Sequence, residues 1–499
     1  MAFTSIRKRS PSPPYRLQWP LRVSVAIWFS KKRYADCLPS HPERVSMSSI
    51  KIVVSDLHLA DSSFLDCFGA NQQNAFAGLL HASSSHTGWP YQADTVELII
   101  NGDCFDFLVI TPYTTQKLAK KAIALQKVEK IIAAHSPFFS VLRAFIAIPG
   151  RSITFLMGNH DLELCFEEVQ ARLCLAISGK LIDPRVYFCP TRFYRPLHDV
   201  YIEHGNHYDF WNHAVEDLWD QDGQALERTA ETIPTSIGSW YFQRVTHQIS
   251  TRYTYFDYFE PSINNTHQIA LLCLFAPSMI IELAQQTMSM LSYPRQPHTN
   301  LAPGEEHNPV RLFEETMLDF VAFRNDMVAR KGDWALEAGP QQISPREVET
   351  FLTIRDALAL PPEEAVATIC GFATYQMGEE VSKGMVSVLQ RDPTLRYSIA
   401  GHTHMLRHDT INQGAQAYLN TACWTKRLAV PTADEVTPAL VQWLRDPDWN
   451  TLPLRNVTQY VFALIVAEPD EPTQAQLCVW EGGMDGRYRI LATDQELGS

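Results

Sequence analysis

The chain has no Cys-x-x-Cys pair, no surplus of basic charge, no apolar run of membrane-spanning length and no internal repeat. Its ten cysteines (37, 67, 104, 165, 174, 189, 273, 370, 423 and 478) follow no regular spacing, and several sit inside apolar runs. That excludes a thiolate zinc module or a disulfide framework as the organising principle and points to reduced core residues of a cytoplasmic protein. A net charge of −13 argues against a general nucleic-acid binder, which would present a basic face. The most apolar stretch, Ile269 to Ile281, is thirteen residues long and interrupted by Pro277, too short to cross a bilayer. It reads as a buried core helix, with a membrane-facing or acyl-chain-binding surface as the other use of such a segment.

What is present is ample for a large core. Apolar residues make up 45% of 499 positions and charged residues 19%, enough for two or three domains or one large domain with insertions. The charge is uneven. Residues 1–49 carry nine Lys/Arg against Asp36 and Glu43, a balance of +7 that leaves −20 for the remainder. This leader is basic, contains Pro11, Pro13, Pro14 and Pro20, and has its Lys31-Lys32-Arg33 run after the short apolar stretch Val23–Phe29. A secretory signal has the opposite order; the composition suits a transit peptide, and Met47 offers an alternative start just ahead of the first strand.

From Ile50 the pattern alternates between strand and helix. Ile50–Val54, Val96–Ile100, Ile153–Met157 and Val200–Ile202 read as strands. Leu118, Ala122, Leu125, Val128, Ile131 and Ile132 repeat at helical spacing, with Pro137 as the stop. Such alternation implies a layered α/β core. Between about 210 and 390 the texture becomes helical. Long amphipathic patterns cover Val310–Arg330 and Glu363–Gln390, and Ser344-Pro345-Arg346-Glu347 reads as an N-cap with a capping-box Glu. Strands return at Gln416–Leu419, Tyr460–Val466 and Leu477–Trp480, the last two as a hairpin. The expected organisation is a leader over 1–49, a catalytic domain from 50–209 and 391–499, and a helical insertion over 210–390.

Five short polar blocks carry the chemistry: Asp56-Leu57-His58, Gly102-Asp103-Cys104-Phe105-Asp106, Gly158-Asn159-His160-Asp161, His204-Gly205 and Gly401-His402-Thr403-His404. Each follows an apolar, β-like run, so strand ends meeting along one edge of a sheet would gather them. An Asp and a His two residues apart leave a strand on the same side, and a carboxylate such as Asp103 has two oxygens with which to bridge two ions. Oxygen and imidazole donors of this kind suit a pair of divalent cations. The glycines beside the blocks allow tight turns away from strand ends. His207 and His213 lie close to His204, but only His204 sits at a strand end before glycine. Arg407, just past His404, is within reach of a substrate phosphate or of solvent.

The ordered set D-x-H, G-D-x-x-D, G-N-H-D, H, G-H-x-H resembles the calcineurin-like metallophosphoesterase superfamily over residues 50–209 and 391–425, with every motif position present. The resemblance implies an αββα sandwich, two mixed β-sheets flanked by helices, here with a large helical insertion. It implies one metal ion on Asp56, His58, Asp103 and His404 and a second on Asp103, Asn159, His204 and His402, drawn from Mn, Fe, Zn, Co or Ni. It implies that His160 protonates the leaving oxygen, that Asp161 orients it and that Asp106 supports it. The activity implied is hydrolysis of a phosphate monoester, diester or pyrophosphate by hydroxide generated between two ions. Ser55-Asp56-Leu57-His58-Leu59 is also similar to the opening of UDP-diacylglucosamine pyrophosphohydrolases, which would make the substrate a small-molecule or lipid-linked phosphoester, with peripheral membrane contact. That subgroup typically has Arg where this chain has His160. A non-catalytic scaffold on the same fold and a nuclease are the competing functions; seven intact ligand positions weigh against the first and the acidic charge against the second.

Overall fold

The computed structural model describes residues 48–85, 93–113, 118–213, 218, 231–263, 265–291, 296–298, 308–331, 345–371 and 378–491. The leader up to residue 47 and the expected N-cap Ser344 lie outside them.

Twelve strands form the two sheets that position the site. Strands β1 (Ser49–Val54), β2 (Thr95–Asn101), β3 (Arg151–Leu156) and β4 (Val186–Phe188) run parallel in that order. Their sequences are nearly continuous apolar runs because both faces of a parallel sheet are covered. In the second sheet, β5 (Phe193–Leu197) pairs antiparallel with β6 (Val200–Glu203), which is parallel to β7 (Tyr397–Ala400). The antiparallel pair β8 (Leu406–Ile411) and β9 (Gln416–Thr421) closes this five-stranded sheet, β9 lying beside β7. The chain then returns to the first sheet: β10 (Tyr460–Ala467) pairs antiparallel with β1, followed by β11 (Gln474–Glu481) and β12 (Arg487–Ile490), which completes seven strands. The expected hairpin is β10–β11.

Alternation along the strands splits the core. Val53, Ile99 and Leu156 face Ile202, Ile399 and Leu419 of the other sheet. Ile52, Leu98 and Ile153 face helices α1 (Ala70–Ser85), α2 (Lys121–Ala134), α3 (Ser136–Ala147) and α4 (Glu167–Ser178), meeting Phe76, Val128, Phe138 and Val169. The result is mixed sheets flanked by helices. The helix expected from Leu118 starts at Lys121, because Leu118–Lys120 pairs as a short strand with Thr232–Pro234. Pro137 lies in the first turn of α3 rather than merely closing α2; there its missing N–H costs nothing and its fixed φ suits a helix start.

The insertion has its own core. Helices α5 (Asn265–Phe275), α6 (Pro277–Ser289), α7 (Pro309–Lys331), α8 (Pro345–Ala357) and α9 (Pro362–Gly371) pack Leu271, Leu272, Ile280, Phe313, Phe323, Ile354 and Ile369 together. Pro277 divides the Ile269–Ile281 stretch into α5 and α6, and Ala270–Cys273, Phe275, Ala276 and Ile280 are buried. The expected helix over Glu363–Gln390 is two, α9 and α10 (Gly378–Arg391), with 372–377 outside the described residues. Val381, Met385 and Leu389 of α10 pack on Tyr201, Ala400 and Tyr418, covering the outer face of the five-stranded sheet. Conversely, Leu440, Val441, Trp443 and Leu444 of α11 (Pro438–Arg445) join the insertion's core. Among the described residues no single helix is long and apolar enough to cross a membrane, and none of the nine cysteines forms a disulfide.

Candidate metal centre

The parallel strands β1, β2 and β3 end at the first three blocks, while β6 and β7, parallel neighbours in the other sheet, end at His204 and His402. The blocks thus meet across two sheets, not along one sheet edge. Carboxyl ends of parallel strands are the usual place for a site, because side chains from successive loops converge there. Backbone bonds join the blocks: Asp56 N–H to Gly102 O (3.2 Å), His58 N–H to Asp103 O (3.0 Å) and Gly401 N–H to His204 O (3.0 Å). The Asn101 amide donates to Glu203 O across the sheets (3.0 Å), and His402 N–H donates to Asp56 Oδ2 (3.0 Å).

Five of the seven expected ligands sit in the left-handed backbone region: Asp56 (φ 54°), His58 (53°), Asp103 (50°), His402 (67°) and His404 (57°). Each such non-glycine residue costs on the order of 1 kcal/mol or more, and persists where the surroundings over-determine it, typically at functional sites. Close approach explains two of the glycines. A Cβ on Gly158 would lie 2.1 Å from Asp103 Oδ1, and one on Gly401 would lie 2.4 Å from Asp56 Oδ2. These carboxylates occupy the space a side chain would need.

The side chains form three groups, within each of which the ligand atoms lie within 4.8 Å of one another: Asp56, His58 and His404; His58, Asp106 and His160, which shares His58 with the first; and Asp103, His204 and His402. Asp56, His58, Asp103, Asn159, His204 and His402 are buried, and His404 is partly exposed. Four buried atoms, Asp56 Oδ1, Asn159 Oδ1, His160 Nδ1 and His204 Nε2, have no well-aligned hydrogen-bond partner, although three of them lie within ion-pair distance of a neighbour. His58 Nε2 and His404 Nε2 lie 3.2 Å apart, and Asp56 Oδ1 is 3.2 Å from His404 Nε2. Asp103 Oδ2 is 3.2 Å from His204 Nε2 and 3.9 Å from His58 Nε2, which places its carboxylate between the two halves. Buried lone pairs that converge without partners are costly unless a cation meets them. The donor set fits divalent metal ions.

Hydrogen bonds on the far side of three rings fix which nitrogen faces inward. His58 Nδ1 lies 3.2 Å from Asp106 Oδ2, and His204 Nδ1 lies 2.8 Å from Asn101 O, leaving Nε2 to the centre in both. His402 is reversed: its Nε2 donates to Asp209 Oδ2 at 3.1 Å. Asp209 escaped the sequence reading. It is 193 residues from His402, and an Asp five positions past His204 carries no local signal.

Asp106 Oδ2 also lies 3.1 Å from His160 Nδ1, so one carboxylate holds both His58 and His160. The carboxylate beside the His160 ring is Asp106, where Asp161 was expected. Asp161 is turned into the body, where Oδ1 accepts from Gly158 N–H (2.7 Å) and Oδ2 from Cys104 N–H (2.9 Å), bracing the second and third blocks. Burial works to lower the His160 pKa, but the Asp106 and Asp103 carboxylates outweigh it and push it up to about 10. Burial alone would raise Asp103; His204 and His160 instead hold it well below the usual carboxylate range. Burial takes His404 down to about 4, keeping its ring neutral and able to bind an ion.

His207 and His213 stay outside the three groups. Arg192 Nη1 lies 3.0 Å from His207 Nε2, and the two imidazoles pack 4.2 Å apart. Arg407 Nε donates to Asp409 Oδ2 (2.7 Å).

No family model matches this chain, and no curated protein matches it. Among solved structures it is similar to a dimetal phosphatase from Danio rerio, with 12% identity, 89% of this chain and 99% of that one covered, and a TM-score of 0.28.

Proposed function

We propose that the chain is a metal-dependent phosphoesterase that hydrolyses a phosphate monoester, diester or pyrophosphate with two divalent cations, on an αββα sandwich. One observation supports this most: Asp56, His58 and His404 and Asp103, His204 and His402 form two compact groups of buried or half-buried donors, all but His204 on left-handed backbone. Asp56, His58, Asp103 and His404 would hold one cation, and Asp103, Asn159, His204 and His402 the other, from among Mn, Fe, Zn, Co or Ni. Bound there, the cations would offset charge on the phosphoryl oxygens and acidify water at neutral pH.

The chain's own residues supply the rest. His160, partly exposed, has its Nδ1 3.1 Å from Asp106 Oδ2, which leaves Nε2 as the nitrogen free to serve a substrate. That nitrogen protonates the departing oxygen, while Asp106 keeps the imidazole oriented and stabilises its cationic form. Asp161 holds the loop that carries His160 against the second block.

Purified protein assayed with Mn²⁺ against p-nitrophenyl phosphate and bis-(p-nitrophenyl) phosphate tests this. Wild type should hydrolyse at least one, chelation should abolish the activity, and Asp103→Ala should lower kcat/KM by about 10³-fold or more, since both cations lose a ligand. Equal, chelator-insensitive rates for wild type and Asp103→Ala would sink the reading.

A further inference from the structure

The helical insertion reaches the metal centre at two places, and both involve ligands assigned to the same cation. At its entry, buried Asp209 accepts three hydrogen bonds: from His402 Nε2 (3.1 Å), from Trp211 N–H (2.9 Å) and from the Asn212 side chain (2.7 Å). A carboxylate only accepts, so it keeps the proton on Nε2 and leaves Nδ1 as the atom His402 can offer to an ion. Further along, Ser239 Oγ donates to Asn159 O (3.2 Å) from a short helix capped by Ser236. The two contacts are one junction, since Gly238 N–H donates to Trp211 O (2.6 Å) and a Cβ on Gly238 would strike Asn212 Oδ1 at 2.4 Å.

The junction is anchored in the insertion's core. The Trp211 ring stacks on Phe323 (6.1 Å, 14°) and Phe320 (5.8 Å, 27°), both on α7. The other ligand group is braced differently. Asp56 O accepts from Trp424 N–H (3.0 Å), His58 rests on Asp106, and Ser55 Oγ bonds Thr421 Oγ1 (2.7 Å), all within the sheet body.

We infer that the position of the helical insertion controls one half of the metal centre. Through Asp209 and Ser239 it sets the geometry of His402 and Asn159, while Asp56 and His58 are braced by Trp424 and Asp106 of the sheet body. Asp209 is a positioning residue, and a displacement of α7 against the sheet body would reach His402 through Trp211. The inference rests on the two-cation reading above and deepens it: occupancy of the second position becomes the point where the insertion, or whatever binds it, regulates the site.

Titrating full-length protein with Mn²⁺ by calorimetry and electron paramagnetic resonance tests it without reference to activity. Wild type should bind two ions and show an exchange-coupled spectrum. Asp209→Asn cannot accept all three bonds, and should weaken one ion by about 10- to 100-fold with the other unchanged, so that a mononuclear spectrum replaces the coupled one. Ser239→Ala, a milder change, should weaken the same ion in the same direction. Two wild-type affinities in both variants, or equal weakening of both ions, would overturn the inference while leaving the two-cation reading intact. A wild-type chain that binds no ion would defeat that reading and this inference with it.

Discussion

The sheet body and the helical insertion spend their buried polar groups differently. In the body, polar side chains crowd the ends of β1, β2, β3, β6 and β7, five of them on left-handed backbone, and six buried atoms there, on Asp56, Asn101, Asn159, His160, Glu203 and His204, have no well-aligned hydrogen-bond partner. In the insertion, the core is an apolar cluster of Leu, Ile and Phe side chains, with Tyr255 donating from its hydroxyl to Leu444 O (2.7 Å). Left-handed backbone and unmet polarity gather at the strand ends, whereas the insertion has three such atoms among its described residues, Thr235 Oγ1, His247 Nδ1 and Tyr253 Oη, around a mainly apolar core. The difference separates a region organised around polar strand ends from one organised around an apolar core.

Three substitutions would break or sharpen that contrast. The largest effect should come from the body. His160→Ala removes the acid and should lower kcat by about 10²- to 10⁴-fold toward alkyl phosphates, less toward nitrophenyl phosphate, whose leaving group needs no proton. Its unfolding midpoint should stay near wild type; parallel losses on both substrates would remove His160 from the acid role.

The next effect concerns the join. Buried Arg427, just after β9, donates to Glu260 Oε2 (3.0 Å), Asp257 O (3.0 Å), Ser262 Oγ (2.7 Å) and Phe259 O, while Leu428–Ala429 pairs with Phe259–Glu260. Arg427→Met should cost about 3 kcal/mol in urea denaturation, because it strands buried acceptors. Limited proteolysis should then open the chain near 255–262 first. Uniform loss of protection across the body would mean the two regions unfold as one.

The smallest effect lies in the body, beyond α4. Asp183 bonds Arg185 through both oxygens (2.9 and 2.7 Å), which holds its carboxyl down at about 2 against an ordinary 3.8. A depressed carboxyl stabilises the fold above its unfolded pKa, and that contribution fades as pH falls from 3.8 toward 2. Asp183→Asn should therefore lower the melting temperature slightly at neutral pH and bring the two proteins together near pH 2. A constant gap at every pH would show that the pair's charge contributes nothing.

The five blocks were legible because each is short, local and set at the end of an apolar strand, so pattern and chemistry coincide within a few residues. Six of the seven expected ligands fall into two compact groups, Asp56, His58 and His404 and Asp103, His204 and His402, and the seventh, Asn159, has a buried Oδ1 without a partner. Asp106 was legible as a member of its block, but its hold on both His58 and His160 was not, nor was the inward turn of Asp161. Asp209, Ser239 and Arg427 were illegible for one reason: their partners lie 193, 80 and about 170 residues away, and isolated Asp, Ser and Arg residues have no period.

By itself, the sequence determined the strand and helix alternation, the cysteine chemistry and the inventory of donors, all of which follow from local composition and spacing. Only the tertiary structure decided that the donors come from two sheets, that one carboxylate serves two histidines and that the insertion leans on half of the centre. Those are facts about long-range packing, in which hydrogen bonds and apolar contacts between distant segments select one arrangement from many that the same local pattern allows. The five polar blocks name the chemistry; where the insertion rests decides how they can be controlled.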